Sequence, residues 1–288
     1  MAAAAPPSDL RRPIAEEEVR AYERDGAAVL RGVLGPAWIE RARAAVERAL
    51  AAPGPAAVEY TPRGRPGRYH GDFFLWRRDP DLRALALESP LPELAARVMR
   101  SREVRFFYDQ LLVKEPRTAE QTPWHQDLPY WPLRGSQIVS VWLPLDRATV
   151  ASGVVVYVRG SHRWGRAFAP VAFGDRSGYG ELFRRQGLQP VPDIEAERER
   201  YEILAFELDP GDLLIHHPLT LHHAGGNASA AGRRRGIALR YVGDDAVWDA
   251  RPGTFLEKPE LRASLPPIAL ADGDPLSGEL FPRVWPRD

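Results

Sequence analysis

The chain has 288 residues, with 39 basic and 39 acidic groups, seven histidines and no cysteine. A formal net charge of zero excludes the electrostatic footprint of a nucleic-acid or polybasic membrane binder, and the missing cysteines exclude disulfide frameworks, thiolate metal sites and cysteine nucleophiles. No apolar run reaches the roughly 18–20 residues of a membrane-spanning helix, and MAAAAPPSDL has neither a basic start nor an apolar stretch, so the expectation is a soluble, cytoplasmic globular protein.

Residues 1–12 read as a disordered lead-in of small residues, prolines and charges. From Pro13 the pattern turns helical, with Ile14, Val19 and Tyr22 among Glu16, Glu17, Glu18 and Arg20. Asp25-Gly26 makes a turn into the apolar run Ala27–Leu30. A second helix is predicted from Pro36 to about Ala51, since proline suits a first helical turn and Ile39, Ala42, Val46 and Leu50 follow at helical spacing. Pro53–Gly67 reads as a loop and Leu91–Ser101 as a short helix.

Beyond residue 102 the period changes. Val104–Lys114 is rich in aromatic and branched residues, as strands are. Val139, Val141, Leu143 and Leu145 alternate with Ser140 and Trp142, which predicts a half-buried strand. Gly153–Val158 and Leu213–His217 are short apolar runs, and Ile237, Leu239 and Tyr241 alternate again. Strands separated by turns, with helices mainly in the first hundred residues, predict a mainly β fold: a sandwich or jelly roll with the N-terminal helices packed on one sheet. The segment 250–288 carries many prolines and is expected to wrap the surface of one domain spanning 13–288.

The histidines are His70, His125, His162, His216, His217, His222 and His223. In Trp124-His125-Gln126-Asp127, an extended backbone would point positions i and i+2 to one face, pairing an imidazole with a carboxylate. That is two-thirds of a 2-His-1-carboxylate triad, which holds ferrous iron on one face and leaves the other positions open. An H-x-D alone is common as a plain surface pair, but a second cluster, His216-His217-Pro218-Leu219-Thr220-Leu221-His222-His223, offers the distant histidine the triad lacks. At least two of these four histidines must be ordinary packed or surface residues. His217 precedes a proline and can cap the corner; His216 is free to point outward.

Together, Trp124–Trp131, Gly160-Ser161-His162-Arg163, His217–His222, and Asn227-Ala228-Ser229 followed by arginines and Ile237–Tyr241 occur in an order that resembles the phytanoyl-CoA dioxygenase family. The likeness includes Tyr22-Glu23-Arg24-Asp25-Gly26 and covers roughly residues 14–250. It implies a double-stranded β-helix of cupin-like type, Fe(II) as cofactor, and 2-oxoglutarate and O2 as cosubstrates, with release of succinate and CO2. By that match the iron ligands are His125, Asp127 and His222, with His223 the alternative one residue on. Related halogenases replace the carboxylate by a small residue, so Asp127 favours hydroxylation of a C–H bond.

A dicarboxylate cosubstrate needs a cation at the far end of its pocket, and a guanidinium matches a carboxylate in two parallel hydrogen bonds. The family implies an arginine shortly after the distal histidine, and this chain offers Arg233, Arg234 and Arg235. Counting forward from His222 favours Arg233 and counting back from Tyr241 favours Arg234. An extra residue is cheap in the loop Asn227–Gly232 but inside the strand would flip every following side chain, which selects Arg234. Arg234 would then share a face with the small residues Gly236 and Ala238. Lys114, one of only two lysines with Lys258, is a candidate near the cosubstrate or a plain strand-end charge; Trp142 is a candidate pocket wall or core residue. Ala224 stands where the family often has a hydroxyl residue. His162 is expected to bond backbone, and His70 either to touch substrate or to serve the loop it lies in. Two rivals to the oxygenase are a zinc hydrolase with the same ligand types and a non-catalytic β-sandwich binding module.

Overall fold

A computed structural model describes residues 10–171, 183 and 187–287. Its helices are α1 (Glu16–Asp25), α2 (Pro36–Ala51), α3 (Pro80–Leu87), α4 (Leu91–Met99) and α5 (Pro259–Ser264). The strands of the first half are β1 (Ala27–Leu30), β2 (Val58–Glu59), β3 (Tyr69–Phe73), β4 (Val104–Lys114), β5 (Thr122–His125), β6 (Leu133–Arg134) and β7 (Ile138–Pro144). Those of the second half are β8 (Val155–Val158), β9 (Ile203–Ala205), β10 (Leu213–His216), β11 (His222–Ala224), β12 (Arg234–Val242), β13 (Val247–Trp248) and β14 (Arg283–Trp285).

The major sheet runs β1-β10-β7-β12-β4-β3-β2, with β14 also on β4, and the minor sheet runs β5-β11-β8-β9. Every pairing in these two sheets is antiparallel. A mainly β jelly roll with helices packed against the larger sheet is the fold expected from the sequence.

Side-chain alternation divides the major sheet into two working faces. Val139, Val141 and Leu143 of β7 and Ile237, Leu239 and Tyr241 of β12 enter the core that the helices cover, together with Val19, Ile39, Val46 and Leu94. Trp142 and Ala238 belong instead to a second cluster between the sheets, with Tyr157, Val156 and Leu221. β7 is therefore buried throughout, not half-buried as its alternation suggests. A strand facing an internal cavity carries polar and small residues on that face, and in sequence this looks the same as a solvent face.

The first helices form as read. Gly26 ends α1 at φ 79°, and a Cβ there would collide with His162 and Thr220, so the turn requires glycine. α3 was not anticipated, although Asp79-Pro80 opens it with a capping carboxylate that accepts from Asp81 and Leu82 N–H. The loop Pro53–Gly67 contains the short β2. Residues 1–9 of the lead-in lie outside the described residues, while Arg12 donates to Glu18 and to Arg31 O. The proline-rich C-terminal segment does more than wrap the surface: Phe255, Leu256 and Leu261 are buried, and Phe255 stacks on Phe74 at 6.3 Å.

Candidate active site

Two cross-strand rows meet between the sheets. Across the minor sheet, His222 of β11 pairs with His125 of β5 on one side and Tyr157 of β8 on the other. Across the major sheet, His216, Ser140, Arg240 and Tyr108 occupy one row through β10, β7, β12 and β4. Asp127 lies where the rows converge. It is not in the strand with His125, as the i, i+2 argument assumed: β5 ends at His125, and Asp127 has helical backbone (φ −75°, ψ −44°) at the start of a 3-10 turn. Hydrogen bonds from Asp127 N and Leu128 N to Pro218 O fix that turn against the corner before β11.

His125, Asp127 and His222 are all buried, and a ligand atom of each lies within 4.8 Å of the others. Oδ1 of Asp127 is 3.6 Å from Nε2 of His125 and 3.8 Å from Nε2 of His222. The other ring nitrogens are occupied: Nδ1 of His125 donates to Pro123 O at 2.8 Å and Nδ1 of His222 to Thr220 O at 2.9 Å. Both Nε2 atoms are therefore left as lone-pair donors aimed at the carboxylate, the tautomer a metal requires. Burial works to raise Asp127, but the hydrogen bond from His216 and the charge of Arg240 work against it, and the carboxyl stays well below the usual carboxylate range. Burial pushes His222 well below the ordinary histidine value, so its nitrogen is unprotonated. Two neutral imidazoles and one carboxylate converging on one point fit a divalent iron ion.

The remaining histidines separate cleanly. His217 caps the corner, accepting from Leu219 N–H through Nδ1 at 3.1 Å and from Thr220 N–H through its carbonyl. His223 stacks on Trp124 at 5.2 Å, and it is His222, not its neighbour, that converges with His125 and Asp127. His162 bonds Glu23 O, and His70 faces away from the cavity toward Glu59 at 2.7 Å. His216 does not point outward: it is 3% exposed and reaches Asp127.

A cavity of about 320 Å³ opens beside the triad. At one end lie Arg234, Trp142, Leu112, Tyr69 and Thr122; at the other lie Arg240, Tyr108, Phe73, Trp131 and Phe255. Of the arginine row, Arg233 pairs with Glu47, and Arg235 with Asp146 and Glu47, on the outer face. Arg234 alone faces inward, 2% exposed, with Nη1 donating to Leu112 O at 3.0 Å. No carboxylate of the described residues pairs with it, and burial pulls its guanidinium below the ordinary arginine value. Its Nε and the indole Nε1 of Trp142 are buried donors without partners. Buried unpaired donors beside an unpaired cation are costly unless a ligand accepts from them, and a carboxylate meets that need.

Trp142 thus lines the cavity, and it takes the space left by Gly236, where a Cβ would come within 2.5 Å of the indole. The room expected at Gly236 is therefore filled by Trp142, and Ala238 provides the open floor. Lys114 does not line the cavity. It donates to Ala224 O and to Gly225 O at 2.5 Å, lies 4.4 Å from the Tyr69 ring, and is pushed down to about 6 by burial and by Arg234. Its place is to hold the chain just after His222.

Comparison with known proteins gives the same reading. The phytanoyl-CoA dioxygenase (PhyH) family model matches residues 22–236. A probable phytanoyl-CoA dioxygenase of Caenorhabditis elegans is 30% identical over 142 residues, 48% of this chain, and the match spans only 42% of the worm protein. The peroxisomal phytanoyl-CoA dioxygenase of Rattus norvegicus is 25% identical, with 84% of this chain and 72% of that protein covered. Among solved structures, the non-heme alpha-ketoglutarate-dependent carbocyclase SnoK from nogalamycin biosynthesis superposes with a TM-score of 0.72 at 27% identity, covering 94% of this chain and 96% of that one. Among the described residues no helix is long and apolar enough to cross a membrane. With the match running through both histidine clusters and the inward arginine, the chain belongs to the phytanoyl-CoA dioxygenase family of iron- and 2-oxoglutarate-dependent oxygenases.

Proposed function

We propose that the protein hydroxylates a C–H bond of a small, largely apolar organic molecule, converting 2-oxoglutarate and O2 to succinate and CO2 as one oxygen atom enters the substrate. The observation that carries this is the pairing of the His125–Asp127–His222 triad with an inward cation, Arg234, that has no anionic partner among the described residues. Iron(II) held by the triad supplies the redox chemistry. Asp127 occupies the position that a halide-binding site would leave open, which favours hydroxylation over halogenation.

The chain's own residues bind, orient and exclude water. Arg234 holds the distant carboxylate of 2-oxoglutarate as a fork, with Trp142 donating beside it. Lys114 acts indirectly, bracing the Ala224-Gly225 backbone that frames the cosubstrate end. At the opposite end Phe73, Tyr108, Trp131 and Phe255 form an aromatic wall suited to a hydrophobic body, and they keep bulk water from the oxidising centre. The likeness to a carbocyclase from nogalamycin biosynthesis supports a natural-product-like substrate. We also place the protein in the cytoplasm, consistent with a chain that has no cysteine to oxidise.

The test is substrate-dependent succinate formation across a metabolite library, supplied with iron(II), 2-oxoglutarate and O2. An apolar or aromatic compound that gains one oxygen atom per succinate supports the proposal. Stimulation confined to small, highly charged metabolites would overturn the apolar substrate class.

A further inference from the structure

The two oxygens of Asp127 have different surroundings. Oδ1 faces Nε2 of both ligand histidines, at 3.6 and 3.8 Å. Oδ2 faces the major sheet, where Ser140 Oγ donates to it at 3.1 Å, His216 Nε2 lies 3.4 Å away and Arg240 Nη2 3.9 Å away. All three come from the single cross-strand row described above. Register brings them to one point, because a slip of one residue in β10 would replace His216 by Ile215 or His217 from the other face.

His216 has no freedom to serve otherwise. Tyr157 of the minor sheet lies with its hydroxyl 3.2 Å from Nδ1 of His216. A buried tyrosine at hydrogen-bond distance donates its O–H to Nδ1, which leaves the proton on Nε2, directed at Oδ2. Three polar groups thus form a chain, Tyr157 to His216 to Asp127, buried between the two sheets. Such groups are expensive to bury and are held when each satisfies the next.

We infer that His216, with Ser140 beside it, is a positioning residue that ties up Oδ2 and leaves Asp127 to bind metal through Oδ1 alone. A carboxylate free to rotate could offer both oxygens and occupy a coordination position that cosubstrate or O2 needs. Outer-shell donors of this kind typically change metal affinity by about 10–100-fold when removed. The inference rests on the triad being the metal site, and Asp127→Ala tests that premise separately.

The experiment is anaerobic titration of the purified chain with Co(II), which reports affinity and, through the intensity of its visible bands, coordination number. His216→Phe keeps bulk and removes both nitrogens; it is expected to weaken Co(II) binding by about tenfold or more and to lower band intensity as the second oxygen coordinates. His216→Gln, which keeps a donor near the Nε2 position, should return to within about threefold of wild type. A purely structural role would not produce that rescue together with the change in band intensity. Should His216→Phe fail to fold, Tyr157→Phe and Ser140→Ala take its place, each expected to weaken binding by about three- to tenfold with the same loss of intensity. Folded variants with wild-type affinity and wild-type spectrum would overturn the role of His216 while Asp127→Ala still abolishes binding. If Asp127→Ala also binds Co(II) normally, the metal site itself is wrong.

Discussion

β12 places an arginine at each end of one cavity, and the two have opposite surroundings. Arg240 is paired with protein through its terminal nitrogens: it donates to Gln110 Oε1 at 2.9 Å and to Ala238 O, lies 4.6 Å from the Tyr108 ring, and sits 3.9 Å from Asp127, while its Nε has no partner among the described residues. Arg234, six residues earlier on the same face, has one carbonyl, no carboxylate among the described residues, and beside it the unpartnered indole of Trp142. Burying a guanidinium costs several kcal/mol unless charge and hydrogen bonds are returned to it. At Arg240 the protein returns a nearby carboxylate and two acceptors. At Arg234 they must come from outside, and this asymmetry distinguishes a ligand-binding cation from a structural one.

The largest expected effects fall on the triad that lies between the two ends. Alanine at His125, Asp127 or His222 should abolish iron binding and turnover, checked by calorimetry and succinate release. Asp127→Gly should destroy hydroxylation without creating halogenation, since an emptied ligand position does not by itself build a chloride pocket; a chlorinated product would contradict this.

Next in size is the cosubstrate end. Arg234→Ala should raise the KM for 2-oxoglutarate by about thirtyfold or more, the equivalent of about 2–5 kcal/mol for a lost charge-assisted pair. Arg234→Lys should recover only part, because an ammonium cannot form the planar fork. The partly exposed Arg233 should change KM by no more than a few-fold on substitution. A large effect at Arg233 with Arg234 near wild type would reverse the assignment. At the other end, Arg240→Met should leave the KM for 2-oxoglutarate within about threefold, because its charge lies beside Asp127 and not beside the cosubstrate.

The smallest effect concerns stability away from the cavity. Asp109 is raised to about 7, chiefly by burial and also by Asp72, and its Oδ2 has no partner. Its folded value exceeds its ordinary 3.8, so the folded chain holds the extra proton between those values and stability falls as pH rises through that window. Asp109→Asn should flatten this dependence and, above neutral pH, stabilise the chain by on the order of 1–3 kcal/mol in denaturant titrations. A variant with wild-type pH dependence would contradict the buried-acid account.

What the sequence disclosed tracks how local each signal is. The candidate metal ligands are legible because His125 and Asp127 are near neighbours and His222 lies in a histidine-dense corner, even though Asp127 is not in the strand that the spacing suggests. Arg234 was reached through the tolerance of loops to insertion, which the outward pairing of Arg233 and Arg235 supports. His216 was misjudged because a histidine ending an apolar strand looks exposed. Only the pairing of β10 with β7 brings it beside Ser140, and that register is not written in either segment alone. The same holds for β7, whose cavity face reads as a solvent face, and for Phe255, which enters the cavity from a segment beyond the family match.

The contrast between the two arginines is tested most directly by anaerobic titration of the iron(II)-loaded protein with 2-oxoglutarate, followed by visible absorption. The wild type should develop a weak metal-to-ligand charge-transfer band that saturates. Arg240→Met should develop it at a similar 2-oxoglutarate concentration when iron is saturating, and Arg234→Ala only at concentrations about thirtyfold higher or more. A zinc hydrolase or a non-catalytic module would give no band. Equal half-saturation in wild type and Arg234→Ala would contradict the claim that the unpaired guanidinium marks the cosubstrate site.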